Sequence, residues 1–182
     1  MRAWIRGAPL AIGAAGALLA LAGCGGDDVP DGFTRFEEDG VSIAYPESWR
    51  ELPAPEGEQN VVLVARETGR PAEEAAQVTL TRVDEEAPFV ALMSDVKVFN
   101  RNQLENASFA EERDVDVDGA DEARLLVTDY ELPANGRSIP YRARQIIALK
   151  EPDLQLNVGV TAPRDAYDRF DADAILDSLS ID

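Results

Sequence analysis

The only cysteine of the chain, Cys24, closes an uncharged run. That one position decides which residues fold and what they must fold without. Arg2 and Arg6 precede the run; from Gly7 to Gly23 there is no charge, and Leu21-Ala22-Gly23 leads directly into Cys24. A positive start, an apolar stretch and small residues at a cut mark a secretory signal peptide. A membrane-spanning helix usually needs about 20 apolar residues; this run is shorter and is diluted by glycines and Pro9. An uncleaved anchor or an ordinary secretory signal would leave Cys24 incidental. Its place directly after Leu-Ala-Gly reads instead as a bacterial lipobox, with cleavage before Cys24 and a diacylglyceryl group on its thiol. Two or more acyl chains hold a protein stably on a membrane where one does not. Residues 1–23 are therefore expected to be a lipoprotein signal peptide, and Cys24 the lipidated residue.

Removal of residues 1–23 leaves 159 residues, a length that suits one domain. Such a chain buries roughly two-thirds of its unfolded surface and needs no disulfide. Lipid on Cys24 would consume the only thiol, and histidine is absent. A Ser-His-Asp triad, a Cys nucleophile, a His- or Cys-ligated zinc and an imidazole base are thereby excluded. All 35 acidic residues follow Cys24, so loss of Arg2 and Arg6 takes the formal charge from −18 to −20. A field of that sign repels nucleic acid and anionic headgroups. No nucleic-acid partner is expected, and the domain should stand off the membrane rather than lie on it.

Gly25 to Gly32 is polar and glycine-rich, so residues 24–32 read as lipidated Cys and flexible tether, with residues 33–182 as the globular domain. Asp39-Gly40 between Phe33–Glu38 and Val41–Tyr45 signals a two-residue hairpin. Pro46 ends the pairing, and Trp49 is expected to fold back as a core plug. Val61–Ala65 is continuously apolar, the pattern of a strand buried on both faces, and Ala76–Val83 alternates. From Pro88 to Leu104 the period changes: Phe89, Leu92, Met93, Val96 and Phe99 fall at helical spacing. Phe109–Asp118, Glu122–Glu131, Ile139–Lys150 and Leu154–Val160 read as four strands. A last helix opens at Pro163, with Tyr167, Phe170, Ala174, Ile175 and Leu179 on its apolar side.

Candidate chemistry is sparse. Asp114-Val-Asp116-Val-Asp118-Gly119 matches the first half of a calcium loop, but Leu125 stands where a bidentate Glu is needed. Aspartates facing water on a strand that ends at Gly119 explain it better, and no metal or cofactor is expected. Arg142 and Arg144 share a strand face and could hold a phosphate or carboxylate, or pair with acids across the sheet. A cleft near Trp49, between the sheet and the 88–104 helix, is the expected ligand site. Carboxylate pairs are plentiful, so a carboxylate-dependent hydrolase is an alternative without a recognisable motif.

Val41-Ser-Ile-Ala-Tyr45-Pro46-Glu-Ser-Trp49 resembles the strand and Tyr-Pro-x-x-Trp turn of PsbP-like domains. Val158-Gly-Val-Thr-Ala-Pro163, with the Tyr/Phe helix ending at Ile175-Leu176-Asp-Ser178-Leu179, resembles their last strand and helix. With the lipobox, the resemblance points to the actinobacterial lipoproteins of the LpqN type. It implies an α+β fold, an antiparallel β-sheet flanked by helices in an α/β/α sandwich, and it implies no enzyme. The expectation is a non-catalytic binding or assembly module of the cell envelope, lipid-anchored on the extracytoplasmic face of the cell membrane. Its partner would be an envelope protein or an apolar or glycolipid molecule.

Overall fold

The computed structural model describes residues 29–182. The expected signal peptide, Cys24 and the part of the expected tether up to residue 28 lie outside the described residues. Among the described residues no helix is long and apolar enough to cross a membrane.

The chain opens with the hairpin β1 (Phe33–Glu38) and β2 (Val41–Pro46). Asp39 and Gly40 both take positive φ, 48° and 76°, the geometry that matches the twist of the flanking strands. Short β3 (Arg50–Glu51) follows, then β4 (Val61–Arg66) and β5 (Gln77–Asp84). Helix α1 spans Phe89–Gln103. A meander of β6 (Glu105–Asp114), β7 (Glu122–Ala134), β8 (Arg137–Lys150) and β9 (Leu154–Pro163) completes the large sheet. A 3-10 helix (Arg164–Arg169), helix α2 (Ala172–Asp177) and β10 (Ser180–Ile181) close the chain.

The seven-stranded sheet has the order β3-β4-β5-β9-β8-β7-β6, every neighbouring pair antiparallel. Alternation along each strand splits its side chains between two cores. Leu125, Val127, Ile146, Val158 and Leu80 meet the small sheet β1-β2-β10 together with Ile175, Leu176 and Leu179. On the other face Leu126, Ile147 and Leu149 meet Phe89 and Met93 of α1. The fold is thus the expected α+β sandwich, with one layer built from a three-stranded sheet as well as a helix.

Several expectations shift. Phe99 is 61% exposed, and Asn100 takes its place on the buried face of α1. At 100° per residue, Phe89, Met93, Val96 and Asn100 lie nearly in line, and Phe99 falls off to the side. The strand expected over Phe109–Asp118 runs from Glu105 to Asp114 instead; Val115 and Val117 leave the ladder but still pack on the main core. The last helix is broken in two, because Asp171 caps a new helix by accepting a hydrogen bond from the Ala174 N–H. Strand β10 was not expected; it pairs with Val41 and Ser42 of β2.

Candidate functional site

Alternate connections of the fold converge at the end of the sandwich where Phe33 begins. They are the Tyr45-Pro46 corner, the loop after β4, the Asn135-Gly136 turn and the 3-10 helix after β9. Three adjoining recesses open there. The first, about 390 Å³, is lined by Phe33, Pro46, Trp49 and Phe170 on its apolar side and by Glu67, Arg169 and Asp171 on its polar side. Trp49 is 8% exposed and part of the main core. Its N–H donates to the Pro46 carbonyl at 2.9 Å, and its ring meets Phe170 edge-on at 5.4 Å. The cleft near Trp49 therefore exists, but its second wall is the 3-10 helix and Phe170. Helix α1 lies on the opposite face of the sheet, because Trp49 belongs to the β2 core and Phe89 to the other.

Glu67 ties the three recesses together. Its carboxylate accepts from the Ala76 N–H at 3.1 Å, from Arg70 at 2.9 Å and from Arg169 at 3.0 Å. Burial pushes this carboxyl up, but the Ala76 N–H and the two guanidiniums outweigh it and hold it below its ordinary value. The second recess, about 280 Å³, is walled by Arg50, Arg66 and Arg70 beside Glu67. The third, about 330 Å³, lies among Arg70, Arg137, Arg169 and Glu74.

Arg142 and Arg144 sit nearby on β8 with their side chains on the main-core face. Arg142 forms a two-pronged bond to Asp129, at 2.7 and 3.0 Å, and this holds the Asp129 carboxyl below its usual range. Arg144 reaches Asp173 of α2. The Tyr167 hydroxyl lies 2.9 Å from the carbonyl oxygens of both Arg142 and Val160. These contacts clasp the C-terminal segment to the sheet. Neither arginine lines the Trp49 recess; the link between them is the ring series Tyr167–Phe170–Trp49.

Two further features stand at the other end. A recess of about 540 Å³ at the start of α1 has Phe89, Val90 and Leu149 in its walls and Glu86, Glu122 and Glu151 around it. Asp114 is bonded by Arg124 at 2.7 Å, and Asp118 forms a bridge with Ser180. Among the described residues no group of three acidic side chains is placed to hold a metal ion.

The arginines opposite one another at 50 and 66 were not legible in sequence. They are sixteen positions apart, and only the register of β3 on β4 makes them neighbours.

No family model matches the chain, and no curated protein matches it. Solved structures do. LpqN, involved in cell envelope biogenesis of Mycobacterium tuberculosis, superposes with a TM-score of 0.54 at 15% identity, over 82% of this chain and 90% of that one. Cyanobacterial PsbP (CyanoP) from Synechocystis superposes at 0.53 and 15% identity, over 88% of this chain and 99% of that one. At this identity the likeness is one of fold, and the fold is PsbP-like.

Proposed function

We propose that the protein is an extracytoplasmic lipoprotein, anchored through lipid on Cys24, whose folded domain is a non-catalytic binding module of the cell envelope. The reading is carried by the placement of the sole cysteine, directly after Leu-Ala-Gly and nine residues ahead of the first strand, in a chain that shares its fold with LpqN. The actinobacterial LpqN-type lipoproteins are the family this combination fits. The electrostatics of the acidic side chains support binding over turnover. The shifted carboxyl groups, Glu67, Glu112 and Asp129, all move downward, Glu67 under the Ala76 N–H and two guanidiniums and the others under nearby cations, the opposite of what a general acid needs.

A second reading, a carrier of an apolar or glycolipid ligand, draws on the recess at Trp49. Its aromatic walls and polar rim suit an amphipathic molecule. Arg142 and Arg144 would contribute to an anionic ligand only by giving up Asp129 and Asp173.

The deciding experiment labels the protein with a fatty acid in its host and fractionates the cells. The wild-type chain should carry label and travel with membranes; Cys24→Ser should accumulate as an unlabelled precursor. Label on the Cys24→Ser chain would overturn the anchor. Crosslinking of the membrane-bound protein, with mass spectrometry of captured proteins and lipids, then separates an envelope-protein partner from a lipid cargo.

A further inference from the structure

Among the described residues nine arginines are ion-paired with a carboxylate. That is the expected state in a chain with twice as many acids as bases. Arg50 and Arg66 depart from it. They stand directly opposite each other in the β3–β4 register, and they wall the same recess. Like charges in directly opposed positions destabilise a sheet. Among the described residues neither is in a salt bridge with a carboxylate, although Glu67 borders the same recess. The Arg66 guanidinium donates to the side-chain carbonyl of Gln77 at 2.9 and 2.6 Å, which orients it without neutralising it. The Arg50 side chain makes no hydrogen bond or ion pair among the described residues. The nearest acids are engaged elsewhere: Glu67 with Arg70, Arg169 and the Ala76 N–H, and Glu51 with the Tyr45 hydroxyl.

We infer that the Arg50–Arg66 pair is a phosphate-binding site. A guanidinium carries five N–H donors, so Arg66 keeps donors free beyond those on Gln77. Guanidiniums suit the oxygens of a phosphate, and one anion between the two removes the cross-strand repulsion. The phosphate is either that of a lipid headgroup or one free in solution. The recess shares Glu67 and Thr68 with the one that contains Phe33, so it lies beside the residue at which β1 begins. The acidic turns at Asp39, Asp84–Glu86, Asp114–Glu122 and Glu151–Asp153 gather at the opposite end of the strands. Carboxylates stand at this end as well, but Glu67 and Glu74 are held by Arg70, Arg169 and Arg137. Phosphate binding here does not require acylation of Cys24, and the two are measured separately.

The test uses the full-length protein in uncharged detergent micelles, observing the arginine Nε–H resonances by NMR. Inorganic phosphate is titrated in one arm and phosphatidylglycerol is added to the micelles in another, with sodium chloride matching ionic strength. A saturable shift of the Arg50 and Arg66 signals is expected in at least one arm. A response to the lipid alone assigns a headgroup; a response to inorganic phosphate assigns the free ion. Arg50→Gln and Arg66→Gln should each weaken the response at least tenfold, while Arg113→Gln should leave it unchanged. Arg50→Glu, which supplies the missing carboxylate, should raise the melting temperature and abolish the response. No response in either arm, or an undiminished response in the folded Arg50→Gln/Arg66→Gln double variant, overturns the site.

Discussion

Gly119 lies against the backbone of Ile181, so closely that a Cβ at 119 would stand 1.7 Å from the Ile181 carbonyl oxygen. Gly119 also has φ of +78°, a conformation costly for any residue with a side chain. The turn that carries it holds the C-terminal strand: the Ile181 N–H donates to the Asp118 carbonyl at 2.9 Å.

Gly119→Ala should therefore destabilise the domain by at least about 2 kcal/mol, from the φ penalty and the displaced strand together. The Ile181 and Asp182 amides should lose hydrogen-exchange protection before the rest of the sheet. Unchanged protection at Ile181 would mean that the turn yields without releasing β10.

Trp49 is a wedge between the β2 corner and Phe170. Trp49→Ala should cost about 3–5 kcal/mol in denaturant unfolding. A cost near zero would place the ring outside the core. Trp49→Phe should recover much of the loss, because the edge-on contact with Phe170 can be partly rebuilt.

Asn100 is buried between α1 and the sheet. Its amide donates to Thr128 at 3.2 Å and to Gln145 at 2.7 Å. Asn100→Ala removes the donor and leaves the buried Thr128 hydroxyl and the half-buried Gln145 carbonyl without it, at a cost of about 1–3 kcal/mol. Asn100→Ala combined with Thr128→Val should be less destabilising than the sum of the two single changes, as a double-mutant cycle would show.

Asp129 sets part of the acid stability. The Arg142 guanidinium holds its folded-state carboxyl below the ordinary value, against burial, with Arg164 adding at 3.7 Å. The sign follows from linkage: a depressed carboxyl contributes stability above its unfolded pKa, about 4, and loses it as pH falls through the folded value. Asp129→Asn should be less stable than wild type at pH 7, and the gap should close below about pH 4. A gap independent of pH would assign the loss to packing instead.

Much of the architecture is readable from local pattern. Asp39-Gly40 specifies a hairpin because two positive φ values are needed there, and alternation in Val78 and Leu80 specifies a strand with one inward face. At the end of α1 the buried face runs through Asn100 and not Phe99. Residue type alone favours the apolar Phe99 for the core, and only the presence of Thr128 and Gln145 opposite makes the amide acceptable inside. A recess lies beside Trp49, but on the face of the sheet away from α1. Periodicity tells which side of a strand is apolar and not which element will cover it.

What the sequence determined by itself is chemical inventory and local form. It holds one cysteine, placed after Leu-Ala-Gly, no histidine, a large excess of carboxylates, and the turns and periods of an α+β domain. These follow from residue type and near neighbours, which need no tertiary information. What only the tertiary structure decided is which charges face each other. Arg142 finds Asp129 thirteen residues away and Arg169 finds Glu67 across the fold, while Arg50 and Arg66 are set opposite one another with no acid between them. Strand register and sheet order fix such pairings, and both are settled by the burial of the whole core rather than by any one segment.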